Sequence, residues 1–162
     1  MEVEVKLCVS PGVEGGPAAF FQRLEKVERL AGLPLGPVRH LALRDLYYDT
    51  STRALARSRC GLRLRLEDGE ALLTLKRTRR EEGGLTVREE YELPATAANL
   101  ERVLAPVRAI IGTEPVPPEE LLAGRPAGPL LPVLDVVTYR AQRSIADLGR
   151  LVLDRVAYPG LV

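Results

Sequence analysis

Tryptophan is absent from this 162-residue chain and histidine occurs once, at His40, so a histidine-built metal centre is excluded. The two cysteines, Cys8 and Cys60, stand too far apart for a C-x-x-C site and are too few for a disulfide framework. They read as small apolar core side chains in a reducing, cytoplasmic setting. No apolar run approaches the ~20 residues of a membrane span, and charges occupy the N-terminus where a signal peptide needs an apolar stretch. Neither a G-x-G-x-x-G pattern nor a P-loop is present, so Gly12, Gly15 and Gly16 read as turn residues. A charge excess is lacking too. The 23 cations and 22 anions leave a net charge of +1, which argues against a basic nucleic-acid arm or an acidic tail. Lysine is scarce: only Lys6, Lys26 and Lys76 stand among the arginines.

What is present is enough for one domain, residues 1–162, with 46% hydrophobic and 28% charged residues. Period-two alternation dominates it. Residues 2–9 place Glu2, Glu4 and Lys6 on one face and Val3, Val5 and Leu7 on the other. A Gly/Pro turn leads to a helix of about fifteen residues with the stripe Phe20, Leu24, Val27 and Ala31. Strands follow at 41–49 and 61–67. Asp68-Gly69 marks a hairpin into 71–78, and Gly83-Gly84 turns into 86–93. A second helix covers 96–111 around Pro106, a short turn is expected at 118–122, and a last hairpin joins 133–146 to 150–157. His40 reads as a surface or strand-edge residue, and Tyr47 and Tyr48 as core or rim.

A charged face on one strand is ordinarily solvated. Here the charges segregate over several strands: Glu2 and Glu4, Arg63 and Arg65, Lys76, Arg88 with Glu90 and Glu92, Arg140, and Asp154. Two architectures accommodate this pattern. An open sheet would cover its apolar face with helices, whereas a closed barrel would turn the charges inward. Lys6, Arg63, Arg65, Lys76, Arg88 and Arg140 sharing a lumen would call for an anion, and a phosphate chain suits arginine forks. The carboxylates would then suit Mg²⁺ or Mn²⁺.

Glu2-Val-Glu4-Val-Lys6 resembles the E-x-E-x-K signature of the CYTH, or triphosphate tunnel metalloenzyme, superfamily. The order of later segments extends the resemblance: Tyr47-Tyr48-Asp49-Thr50, Leu62-Arg63-Leu64-Arg65, Leu73-Thr74-Leu75-Lys76, Arg88-Glu89-Glu90-Tyr91-Glu92, Thr138-Tyr139-Arg140 and Leu153-Asp154-Arg155-Val156. The resemblance implies an α+β fold, an antiparallel closed β-barrel of about eight strands with helices outside. Family members continue into a further strand bearing a second E-x-E. The last strand is therefore expected to be missing, through truncation at the C-terminus or degeneracy.

The resemblance also assigns roles. Glu4 and Lys6 would be catalytic, and Glu2, Glu4 and Asp154 would hold the metal. Lys6, Arg63, Arg65, Lys76, Arg88 and Arg140 would bind triphosphate, with Glu90 and Glu92 as tunnel carboxylates. The implied activity is Mg²⁺- or Mn²⁺-dependent hydrolysis of a linear triphosphate, by positioning and charge neutralisation. Class IV adenylate cyclase is the alternative, as is a non-catalytic polyphosphate- or nucleotide-binding module preceding a C-terminal fusion domain. The expected partner is a triphosphate-containing small molecule or polyphosphate, not nucleic acid or a membrane.

Overall fold

The computed structural model describes residues 7–82, 85–112 and 115–160. Their elements run α1 (Gly16–Lys26), β1 (Arg29–Leu30), β2 (Leu33–Pro34), β3 (Arg39–Asp49), α2 (Ala54–Arg57), β4 (Cys60–Glu67), β5 (Glu70–Glu82), β6 (Leu85–Pro94), α3 (Ala97–Ile111), α4 (Pro118–Leu122), β7 (Leu131–Ile145) and β8 (Gly149–Gly160). Strands β1 and β2 form a small ribbon. The other six make one sheet in the order β6-β5-β4-β3-β7-β8, within which β3, β4, β5 and β6 pair antiparallel in sequence. This mostly antiparallel sheet with four helices is the α+β architecture expected, but among the described residues the six-stranded sheet runs from β6 to β8 and is not closed into the expected barrel.

Two compact units divide the chain. The larger comprises Leu41–Tyr139 and Arg155–Val162. Its hairpins are set locally: Asp68 and Gly69 both take positive φ, as a tight two-residue turn between right-twisted strands requires. Alternate residues of β3, β4 and β5 then face one way. Leu46, Tyr48, Leu62, Leu64, Leu73 and Leu75 are buried against Leu55 of α2, Leu100, Val103, Leu104 and Val107 of α3, and Leu121 of α4. Helix α3 supplies that stripe at i, i+3, i+4 and i+7, and it runs through Pro106 although proline removes one backbone donor. Each fully buried leucine contributes ~1.5–3 kcal/mol of transfer free energy, so this layer is the main stabilising contact of the unit.

The smaller unit comprises Met1–His40 and Arg140–Asp154. Helix α1 is shorter than its apolar periodicity suggests. It ends at Lys26, and Val27 takes an extended conformation. The chain then doubles back through Ala31 and Gly32, both at positive φ, so Val27 and Ala31 lie outside the helix. Arg143 stabilises this turn-back. Its Nε donates to the Gly36 carbonyl at 2.7 Å and its Nη1 donates to the Glu25 carbonyl at 3.0 Å and to that of Val27. One guanidinium thereby satisfies carbonyls that the end of α1 leaves open. A Cβ at Gly36 would displace the Ser144 hydroxyl from its present position.

Three local expectations change. Leu7, Cys8 and Val9 are irregular rather than strand. Cys8 is exposed, whereas Cys60 is buried as expected of a small apolar side chain. Most other strands extend beyond their sequence-read bounds, most at β5, whose pairing with β6 shifts register after Thr78, while β1, β2 and α2 are additional elements. His40 is exposed, with Nε2 3.8 Å from Glu25 Oε2. No helix among the described residues is long and apolar enough to cross a membrane.

Candidate functional site

Strand β4 alternates strictly. Leu62 and Leu64 are fully buried in the core, so Arg63 and Arg65 stand on the opposite face. Residues directly opposed across an antiparallel pair share a side, so the register extends that face over four strands. One row runs Tyr47, Arg63, Thr74, Glu92, and the next runs Asp45, Arg65, Leu72, Pro94. On the other side of Arg63 comes the row Gly61, Lys76, Glu90, followed by Thr78 opposite Arg88. The result is a polar strip crossing the sheet, with hydrocarbon beneath it.

The cations of the strip are held in different ways. Arg65 forks onto Asp45, with Nε to Oδ1 at 2.7 Å and Nη2 to Oδ2 at 2.8 Å. This planar two-point match is the strongest arrangement the pair can make. The hydrogen bond to Asp45 raises the Arg65 pKa above its ordinary value, against the opposing effect of burial. Arg63 is more divided. Its Nη2 donates to Glu92 Oε2 at 2.7 Å and to Thr74 Oγ1 at 3.0 Å, and its Nη1 lies 3.7 Å from Asp45 Oδ2. Thr74 Oγ1 in turn donates to Glu92 Oε2 at 3.1 Å. The Arg63 Nε is buried with no hydrogen-bond partner. Lys76 Nζ lies 2.9 Å from Glu90 Oε1, both side chains being about half exposed.

The smaller unit holds another pair of the same kind. Arg140 Nε and Nη2 each reach Asp154 at 2.8 Å. Every cation in these contacts has a carboxylate against it, but the carboxylates differ in depth. Asp45 is 6% exposed, whereas Glu92 is 42% and Asp154 33% exposed. A dry pair is costly to open, while water or a competing anion reaches an exposed one readily.

The structure therefore gathers five sequence-predicted site residues in the larger unit, Arg63, Arg65, Lys76, Glu90 and Glu92. It pairs Arg140 with Asp154 in the smaller one. The backbone of Arg88 falls on the same strip, opposite Thr78, and its side chain lies outside the described residues. Glu2, Glu4 and Lys6 also lie outside them. Asp45, Tyr47 and Thr74 join the strip without having been singled out for it. The alternation Asp45-x-Tyr47 carries the signal, but the neighbouring Leu43 on that side is buried, which hides the polar face in the sequence.

Within the Tyr47-Tyr48-Asp49-Thr50 segment two residues serve the fold. Tyr48 donates its hydroxyl to the Leu121 carbonyl at 3.2 Å, and burial pushes its pKa up to about 12. Asp49 accepts the Thr50, Leu55 and Ala56 amides at 2.7, 2.9 and 3.1 Å, closing the start of α2.

For a metal, the carboxylates have the hard oxygen donors that Mg²⁺ and Mn²⁺ take. Among the described residues, however, no three His, Cys, Asp or Glu side chains are grouped to hold one. Glu90, Glu92 and Asp154 are each engaged with a cation.

The sheet thus carries Arg63, Arg65 and Lys76, each paired with a carboxylate, on the face opposite its helices. The chain belongs to the CYTH domain family, whose model matches residues 1–160. It is 37% identical over 93 residues to an inorganic triphosphatase of Haemophilus influenzae. That match covers 57% of this chain and 24% of the relative, so the chain spans about a quarter of that protein's length. A solved structure from Hippeastrum, of a candidate adenylyl cyclase with a dominant triphosphatase activity, superposes with a TM-score of 0.57. It is 18% identical, with 87% of this chain and 67% of that one covered, and shows that the fold is shared.

Proposed function

We propose that this protein hydrolyses a linear triphosphate, inorganic or organic, held against the cationic strip of its sheet, with a divalent cation required. The observation that carries the reading is the register: Arg63, Arg65 and Lys76 lie on one face in adjacent rows, facing carboxylates that differ in how easily they can be displaced. Family membership and the likeness to an inorganic triphosphatase support it. The finer reading of a tunnel of about eight strands rests on family membership. The E-x-E-x-K alternation of residues 2–6 supports one more strand on its pattern alone.

In this reading Lys6, Arg63, Arg65, Lys76, Arg88 and Arg140, assigned by their places in the family pattern, balance the charge of the phosphate chain. Phosphoryl transfer asks little covalent chemistry of a protein, so holding the chain in line and balancing its charge carry most of the rate. Glu2, Glu4 and Asp154 would hold Mg²⁺ or Mn²⁺, which supplies charge neutralisation at the transferring phosphoryl group. Lys6 would stand beside Glu4 and complete the charge balance.

The test is phosphate release from tripolyphosphate, ATP and thiamine triphosphate with Mg²⁺ or Mn²⁺. Turnover of at least one, lost in Glu4→Gln, is the expected result. Cyclic AMP and pyrophosphate from ATP would replace hydrolysis by cyclisation. Tripolyphosphate binding without turnover would replace it by a binding role.

A further inference from the structure

Arg63 and Arg65 look equivalent in the sequence, two arginines at period two on one strand, yet their surroundings separate their tasks. The Arg65 fork is filled by Asp45 at 2.7 and 2.8 Å, and the pair is nearly dry, 15% and 6% exposed. A planar guanidinium has a side-on fork along Nε and one Nη and an end-on fork along its two Nη atoms; a carboxylate seated on the side-on edge leaves another anion only the end-on one. Arg63 is just as buried, 11% exposed, but its Nε has no partner and its carboxylate is the more exposed one. Its strongest partner is Glu92, which is 42% exposed and approaches from the β6 side, while its only contact with Asp45 is a 3.7 Å approach through Nη1.

Asp45 thus lies beside both arginines on the neighbouring strand, opposite Arg65 and diagonal to Arg63. It grips one and places the other electrostatically. We propose that Asp45 is a positioning residue that locks Arg65 as a fixed strut and aims Arg63, so that Arg63 rather than Arg65 forks onto the anion.

This inference rests on the triphosphate reading for its effect on activity, but not for the division of labour between the arginines. Without its charge Asp45 would release the Arg65 fork to the open face. The strip would gain net positive charge and lose its fixed geometry, two effects that act oppositely on binding and on turnover. Ground-state binding gains from charge, whereas the transition state depends on placement.

Two measurements test it. The first follows the arginine Nε–H signals of ¹⁵N-labelled wild-type protein during titration with tripolyphosphate in EDTA. The Arg65 Nε–H is expected to exchange slowly and stay in place, while the Arg63 signal moves. An Arg65 signal that moves with Arg63, or one that exchanges as fast as a free guanidinium, overturns the proposal. If no arginine signal moves, the triphosphate reading fails, while slow Arg65 exchange still supports the Asp45 lock.

The second compares steady-state kinetics of Asp45→Asn and Asp45→Glu. Folded Asp45→Asn is expected to lose tenfold or more in kcat on tripolyphosphate with KM unchanged or lowered. Its metal-free tripolyphosphate affinity should be equal or tighter, and Asp45→Glu should recover part of kcat. An unchanged kcat, or a raised KM at full kcat, overturns the proposal. The wild-type signals remain decisive if Asp45→Asn does not fold. Asp135→Asn, which opens the Arg44 pair on the other face, is the control and leaves turnover within twofold.

Discussion

Replacing Glu92 by glutamine separates structural ion pairing from competition for the anion. Glu92 receives Arg63 Nη2 at 2.7 Å and Thr74 Oγ1 at 3.1 Å, and it is 42% exposed. For a pair so open to water, the loss in stability is at most about 1 kcal/mol, the upper end measured for exposed pairs. The effect on an incoming phosphate is larger relative to that loss. A carboxylate and a phosphate charge about 5 Å apart repel by roughly 3 kcal/mol at an effective dielectric constant near 20.

Solvent and salt around a half-exposed group reduce that repulsion to about 1 kcal/mol, or roughly fivefold in affinity. Glutamine keeps an acceptor for Arg63 and Thr74 while removing the charge. Calorimetry with tripolyphosphate in EDTA is therefore expected to show Glu92→Gln binding about fivefold tighter than wild type, with the difference shrinking as salt rises. Its melting temperature is expected to fall by no more than about 4 °C, the shift that 1 kcal/mol produces in a chain of this size. Weaker binding together with a large loss of stability would refute the argument. It would mean that Glu92 holds the sheet together rather than guarding the cation.

Two further outcomes follow from residues that serve the fold. Asp49→Ala leaves the Thr50 amide and two amides in the first turn of α2, Leu55 and Ala56, without their acceptor, and urea denaturation is expected to show a loss of about 2 kcal/mol, the upper range for a lost cap. Tyr48 has a pKa raised from 10.0 to about 12, so its neutral form is favoured on folding. That contribution is complete below pH 10 and fades as pH rises through about 12. Stability of the wild type should therefore fall over that window, and Tyr48→Phe should flatten the fall. An identical slope in the variant would count against burial of the hydroxyl as its cause.

Much of the architecture was readable because it follows local rules. The β4 sequence alternates leucine with arginine so strictly that both its strand nature and its two faces are evident before any pairing is known. Asp68-Gly69 fixes the hairpin that brings Thr74 beside Arg63. The α3 stripe names its buried residues one by one. Helix α1 was overread for a physical reason: Val27 and Ala31 continue a helical spacing, but Ala31-Gly32 takes a reversed turn that apolar periodicity does not register.

The site was legible in its cations and not in its balance. Arg63 and Arg65 are indistinguishable by spacing, and only the long-range pairing of β3 with β4 shows Asp45 beside them. Asp45 stands between Arg44 and Leu46, near the buried Leu41 and Leu43, so the polar side of β3 does not stand out. Thr74 alternates with Leu73 and Leu75, which places its hydroxyl on the face of Lys76 but names no partner for it. Its bond to Glu92 depends on the register of β5 with β6, which period-two patterning leaves open by whole steps of two.

The central claim is that the cationic strip of the sheet is the place where the triphosphate binds. The most direct measurement is calorimetric titration of tripolyphosphate in EDTA into wild type, Arg63→Ala and Lys76→Ala. The account predicts one saturable site in the wild type, weakened tenfold or more by Arg63→Ala and clearly by Lys76→Ala, with all three proteins folded. Binding of equal strength in all three, or no binding by the wild type, would contradict it.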